Sequence, residues 1–220
     1  MNDGASATAA GAAPLAGLLL RARHPSPAAI AAIRATVFAL ALLPLARLGL
    51  LAWLGKLTAN PIEFITRSTG TWTLSFLLIT LAVTPLRRLL DWPWLLRLRR
   101  MLGLFAFFYA CLHFTIYLWL DQFFDAGASA KDIVKRPFIT VGFAAFVLLV
   151  PLAVTSTNAM VRRLGARAWQ RLHYAVYAIA TLGVVHYWWL VKKDVRQPLY
   201  FATALALLLG YRIVRRLRGG

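Results

Sequence analysis

The chain has 220 residues, 60% of them hydrophobic, with 25 Lys and Arg against 7 Asp and Glu, a formal net charge of +18 and a mean hydropathy of +0.67. Only 15% of residues are charged, which excludes an ordinary soluble domain and leaves an integral membrane protein. The basic excess does not argue for nucleic acid, because it falls in the short segments between apolar runs and no RNP-like or helix-turn-helix pattern accompanies it. The single cysteine, Cys111, excludes an intrachain disulfide, a Cys-ligated zinc site and an Fe–S cluster.

Residues 1–28 are rich in Gly, Ala, Ser and Pro without periodicity, which predicts a disordered cytoplasmic tail ahead of one membrane domain over 29–220. The tail has no basic n-region and its apolar stretches are broken by Pro14 and Gly17, so a cleaved signal peptide is not expected. His24 reads as a solvated tail residue. Six stretches near twenty apolar residues follow, at about 31–55, 71–90, 101–120, 137–155, 169–191 and 198–216. Breakers separate them: Asn60-Pro61, Asp91-Trp92-Pro93, Gly127, Arg136-Pro137, Gly165 and Gln197-Pro198. The expected fold is therefore an all-α integral membrane protein, a six-transmembrane-helix bundle.

Counting Lys and Arg on alternate sides gives 16 for the set that includes both termini and 8 for the other. Short loops rich in them stay inside, so both termini are expected to be cytoplasmic. Arg47, within the first span, belongs to neither set. Trp53, Trp72, Trp92, Trp94, Trp119, Trp188 and Trp189 lie near span ends, as an aromatic belt requires.

Ionisable residues inside spans mark function by default, and three histidines qualify. In the fifth span His173 lies two residues after Arg171, and His186 is thirteen further on, roughly 20 Å deeper at about 1.5 Å per residue. In the third span His113 is thirteen residues beyond Arg100. Both spans run the same way, so His113 and His186 lie at one depth. Two imidazoles at one level, with no Asp or Glu in either span and Cys111 the single thiol, suit the axial positions of a haem iron. A zinc or di-iron site would want further ligands. Small residues at Gly103, Ala106, Ala110, Ala180 and Gly183 either make room for a macrocycle or let helices pack closely. His173 is about 140° from His186 on an ideal helix and level with Arg99 or Arg100 rather than a histidine. It could ligate a second haem, bind another cofactor, hydrogen-bond a quinone or propionate, or be a plain interfacial residue. Arg97, Arg99, Arg100 and Arg171 could hold anionic groups at that face, and the outer segment with Asp121, Asp125, Lys131, Asp132, Lys135 and Arg136 is the natural place for a partner to dock.

The segments "TGTWTLSFLLITLAVTPLRR" (69–88), "RRMLGLFAFFYACLHFTIY" (99–117), "KRPFITVGF" (135–143), "TSTNAMVRRLGARAWQRLHYAVY" (155–177) and "HYWW" (186–189) resemble the MsrQ family, formerly YedZ, within the ferric-reductase-like transmembrane superfamily. The resemblance covers about residues 30–216. It implies a b-type cytochrome of the bacterial inner membrane that passes electrons to a periplasmic molybdopterin methionine-sulfoxide reductase of the MsrP type, supporting repair of oxidised proteins. It further implies quinone or a flavin reductase as donor, heme b and FMN as cofactors, and His113, His173 and His186 as cofactor ligands. Related NADPH oxidases carry two histidines on each helix, and this chain departs from them at 99–100, so one haem or two stays open. The rival class is a transporter or proton relay using buried histidines without haem, though it would usually show paired interrupted spans and an inverted repeat. A quinone-linked dihaem cytochrome would need four histidines.

Overall fold

The computed structural model describes residues 23–191 and 193–219; most of the tail expected over 1–28, and Lys192, lie outside them. The elements are α1 Pro27–Trp53, α2 Pro61–Leu89, α3 Leu96–Ile116, α4 Ala126–Lys135, α5 Pro137–Val154, α6 Asn158–Leu164, α7 Ala166–His173, α8 Ala175–Leu190 and α9 Arg196–Arg218. A 3-10 turn at Pro93–Leu95 leads into α3, and a turn of π-helix, Tyr117–Asp121, prolongs it. No strand occurs among the described residues.

The breaker dipeptides start helices rather than merely interrupt them. Pro27, Pro61 and Pro137 each open a helix, where the missing N–H would have had no partner and φ is already suitable. Ser26 caps α1 by accepting from the Ala29 amide at 3.1 Å. Asn60 caps α2 by accepting from the Glu63 amide at 3.2 Å while its own amide donates to the Glu63 carboxylate at 3.1 Å, a reciprocal cap.

Among the described residues five helices are long and apolar enough to cross a membrane: α1, α2, α3 with its flanking turns, α5 and α9. The fifth expected span, 169–191, is instead divided. The Tyr174 amide bonds to both Gln170 O and Arg171 O, at 3.1 and 3.2 Å, so the helix tightens there and α7 gives way to α8. Alone, the 16 residues of α8 reach about 24 Å, short of the ~30 Å hydrocarbon thickness.

The most closely packed helix pairs are α2 with α3 and α5 with α8, so the bundle consists of two hairpins flanked by α1 and α9. Leu81, Ala106, Tyr109, Ile179 and Ala180 are fully buried between them. The small residues go to this packing: a Cβ on Gly103 would meet Thr80 Cγ2 at 3.8 Å, and one on Gly183 would meet Leu74 Cδ1 at 3.3 Å. Phe107, Phe114, Phe143 and Phe146 join the hairpins, with Phe114 and Phe146 stacked at 4.8 Å.

The flanking helices are tied on through proline. Pro85 inside α2 has no N–H for the Leu81 carbonyl one turn back. Arg212 of α9 supplies the donor, its Nη2 lying 2.5 Å from Leu81 O, and its guanidinium covers the Tyr177 ring at 5.3 Å. Near Pro44 inside α1, the buried Tyr109 hydroxyl donates to Ala41 O at 2.7 Å, adding a second helix-to-helix tie. At Leu81 a neighbouring helix thus satisfies a carbonyl that the apolar surroundings could not.

The segment after α3 is ordered by its own charges. Asp125 caps α4, accepting from the Ala128 amide at 2.8 Å, and Asp132 pairs with Arg136 at 2.7 Å and accepts from Tyr117 at 3.0 Å. Phe123 and Phe124 sit exposed at φ 49° and 58° just before it. Arg47 is exposed two turns before the end of α1, from where its long side chain can reach the headgroup level.

Candidate functional site

His113 on α3 and His186 on α8 come together, their ring centroids 6.2 Å apart and their planes at 76°. Each is hung from a backbone carbonyl of its own hairpin's first helix. His113 Nδ1 lies 2.9 Å from Thr66 O on α2, and His186 Nδ1 lies 2.7 Å from Phe138 O on α5. A carbonyl only accepts, so Nδ1 carries the proton in both rings and Nε2 keeps its lone pair. Metal-bound imidazoles are held in this way, and the carbonyl both orients the ring and raises its basicity.

Glycine makes the approach possible. In a helix the carbonyl of residue i points towards residue i+4, so a side chain that reaches it must cross that residue's Cα. Position i+4 is Gly70 for Thr66 and Gly142 for Phe138. A Cβ at Gly70 would lie 3.0 Å from His113 Cε1, and one at Gly142 would lie 2.6 Å from His186 Nδ1. The two hairpins thus repeat one device of carbonyl, glycine four residues on, and histidine on the returning helix, at separations of 47 and 48 residues from carbonyl to histidine. No repeat is evident in the residues themselves, because the acceptors are main-chain atoms that any residue type supplies.

The donor set can be tested against a metal group. Two imidazoles bound to one metal from opposite sides, through bonds of about 2.0 Å each, have centroids about 6 Å apart, close to the 6.2 Å found here. Among the described residues no group of three or more His, Cys, Asp or Glu gathers, too few side-chain donors for a closed zinc or di-iron site. A metal whose remaining positions are filled by a macrocycle fits the pair.

His173 is not part of this constellation. Its ring stacks on Trp169 with centroids 3.8 Å apart, Nδ1 lies 3.0 Å from Trp169 O, and Nε2 faces the Ser156 hydroxyl at 3.5 Å. It lines a cavity of about 750 Å³ at the arginine-rich end of the bundle, shared with Arg99, Tyr177 and Arg212. Of the four arginines expected to face an anion here, only Arg99 lines the cavity; Arg97, Arg100 and Arg171 are exposed outside it. The other cations at this face, Arg88, Arg212, Arg215 and Arg216, come from α2 and α9. Sequence reasoning credited these to topology alone, since nothing in their spacing says which way α9 turns them.

A membrane bundle whose hairpins present paired histidines between helices defines a class, and the chain belongs to it: it is a member of the ferric reductase like transmembrane component family, whose model matches residues 28–184. That match stops two residues short of His186. Within the family it falls among MsrQ proteins. It is 62% identical over 192 residues to the protein-methionine-sulfoxide reductase heme-binding subunit MsrQ of Herminiimonas arsenicoxydans, covering 86% of this chain and 88% of that one. It is 57% identical to the proteins of the same name from Azospira oryzae, over 89% of this chain and 84% of the relative, and Rhodospirillum rubrum, over 85% and 91%.

Proposed function

We propose that this chain is a b-type cytochrome subunit that carries electrons through the bacterial inner membrane to a methionine-sulfoxide reductase. The observation that carries the reading is the His113–His186 pair, two rings at 6.2 Å with their Nδ1 atoms committed to carbonyls. When bound there, haem would supply a one-electron carrier in a layer of low dielectric, and His113 and His186 are the residues that would hold its iron. The protein's own part is to hold the rings. Thr66 and Phe138 fix the tautomer, Gly70 and Gly142 clear the approach, and the Phe107–Phe114–Phe146 stack keeps water from the hairpin junction. His173 with its cavity is the candidate holder of a second group at the other depth, either an inner haem or FMN, with Arg99 and Arg212 to receive carboxylates or a phosphate.

The rest of the reading follows the family. Residues 29–220 form the haem-binding domain with six spans, α7 and α8 together completing the fifth. The arginine-rich end faces the cytoplasm with both termini. A quinone or a flavin reductase donates there, and an MsrP-like periplasmic subunit accepts at the opposite end. Names of relatives at 55–62% identity support the haem and the reductase partnership.

The test is an absorption spectrum of the purified, dithionite-reduced protein. Low-spin b-type bands that vanish in both His113→Ala and His186→Ala support the reading. A colourless protein that is folded and monodisperse overturns it in favour of a histidine relay or transporter. A pyridine haemochrome assay on wild type and His173→Ala then counts the groups bound, and reduction by quinol against reduction by a flavin reductase identifies the donor.

A further inference from the structure

A second cavity, about 590 Å³, opens at the arginine-rich end between the ends of α2 and α9, lined by Arg87, Arg88, Leu89, Asp91, Tyr211 and Arg215 among others. We propose that it binds the phosphodiester headgroup of an anionic membrane lipid. Charge is the first argument. Three guanidiniums from two helices converge, and the one carboxylate, Asp91, is already paired with Arg23. Arg87, Arg88 and Arg215 make no side-chain hydrogen bond or ion pair to any described residue, so their fixed donors are free for a phosphate, which a guanidinium grips through two parallel bonds.

Position is the second argument, and it selects lipid over a soluble phosphate. The cavity lies where α2 ends, beside Leu89, which is 72% exposed, and the stacked pair Trp92–Trp94 at 5.6 Å. Exposed apolar surface, indole and arginine gathered at a helix end mark the passage from hydrocarbon to headgroups, and basic pockets between helix ends are where anionic headgroups are held. Arg88, Tyr211 and Arg215 also wall the neighbouring cavity that contains His173, so a headgroup bound here would brace α9 against α2 at the rim of that chamber. None of its residues belongs to the His113–His186 pair, so the site stands apart from a haem held there, while Arg88, Tyr211 and Arg215 are shared with the His173 cavity.

The experiment uses the full chain, purified in detergent, and native mass spectrometry with phosphatidylglycerol, diphosphatidylglycerol and phosphatidylcholine added in turn. Wild type should retain the anionic lipids and release the zwitterionic one. Arg87→Gln/Arg88→Gln/Arg215→Gln should bind them about a hundredfold more weakly. Arg162→Gln/Arg163→Gln/Arg167→Gln removes the same charge from exposed sites outside the cavity and should bind as wild type. Equal losses in both triples would mean a diffuse surface charge and overturn the proposal, as would equal retention of phosphatidylcholine. Binding of inorganic phosphate or flavin mononucleotide that depends on the cavity arginines, without lipid binding, would overturn the lipid assignment. Should the cavity triple fail to accumulate, wild type decides alone: its melting temperature should rise in anionic over zwitterionic vesicles, and no rise refutes the site.

Discussion

Replacing Gly142 by alanine tests the site at its tightest point. The added methyl would meet His186 Nδ1 at 2.6 Å, Cε1 at 2.8 Å and Cγ at 3.0 Å, all on one rigid ring. Restoring ordinary contact at about 3.5 Å moves that ring by nearly 1 Å. The bond to Phe138 O is 2.7 Å long, and a displacement of that size takes it past the limit of about 3.2 Å. Overpacking costs about 1–3 kcal/mol and the lost hydrogen bond about 1 more, so haem retention should weaken about 30- to 800-fold. Gly70→Ala meets His113 Cε1 at 3.0 Å, and a few tenths of an ångström of yielding there should cost only about 1 kcal/mol. Gly103→Ala meets nothing closer than 3.8 Å and should behave as wild type. The assay is haem per chain after dilution in detergent, with circular dichroism confirming the helices. If Gly142→Ala keeps as much haem as Gly103→Ala, the glycine does not clear the histidine's approach and the reasoning is wrong.

The tie between α9 and α2 can be measured by a double-mutant cycle. Arg212→Leu leaves Leu81 O without a donor and should cost about 1–3 kcal/mol of stability, whereas in a Pro85→Ala background, where the backbone N–H is restored, the same change should cost about 1 kcal/mol less; equal costs in a denaturation series would refute the link. Tyr109→Phe removes the donor to Ala41 O and should lower stability by about 1 kcal/mol, read from the same series. Arg196 donates two side-chain bonds and its amide to Asp194, which holds that carboxyl down at about 2, chiefly through the side-chain hydrogen bonds. The contribution of this pair is therefore present above the ordinary carboxylate range and lost as pH falls through about 2. NMR of the Asp194 carboxyl should find it ionised at pH 3, and a midpoint near 4 would contradict the pairing.

Five of the six expected spans were legible in outline because apolar length and Asn-Pro or Arg-Pro punctuation are written in residue types, although α2 begins at Pro61, ten residues before the expected start. The meeting of His113 and His186 was legible too, since depth along parallel helices can be counted from charged residues at the membrane edge. The supporting parts were not. Thr66 and Phe138 act through their carbonyls, and Gly70 and Gly142 belong to spans with no histidine to draw notice. Of the small residues on the histidine helices, Gly103 faces Thr80 and Gly183 faces Leu74, neighbours that spacing along a single helix does not reveal. The division of the fifth span at Tyr174 was not legible, because 169–191 carries no proline or glycine near that residue to mark it. The docking charges expected after α3 are in part spent locally, Asp125 on a cap and Asp132 on Arg136 and Tyr117.

Because carbonyl, glycine and histidine all lie within a single hairpin, each half of the clasp can be complete before the other arrives. As the chain enters the bilayer, the first hairpin would emerge with its imidazole already aimed, and wait. The second would then close on it through Phe114 and Phe146, bringing two finished pieces together rather than shaping either.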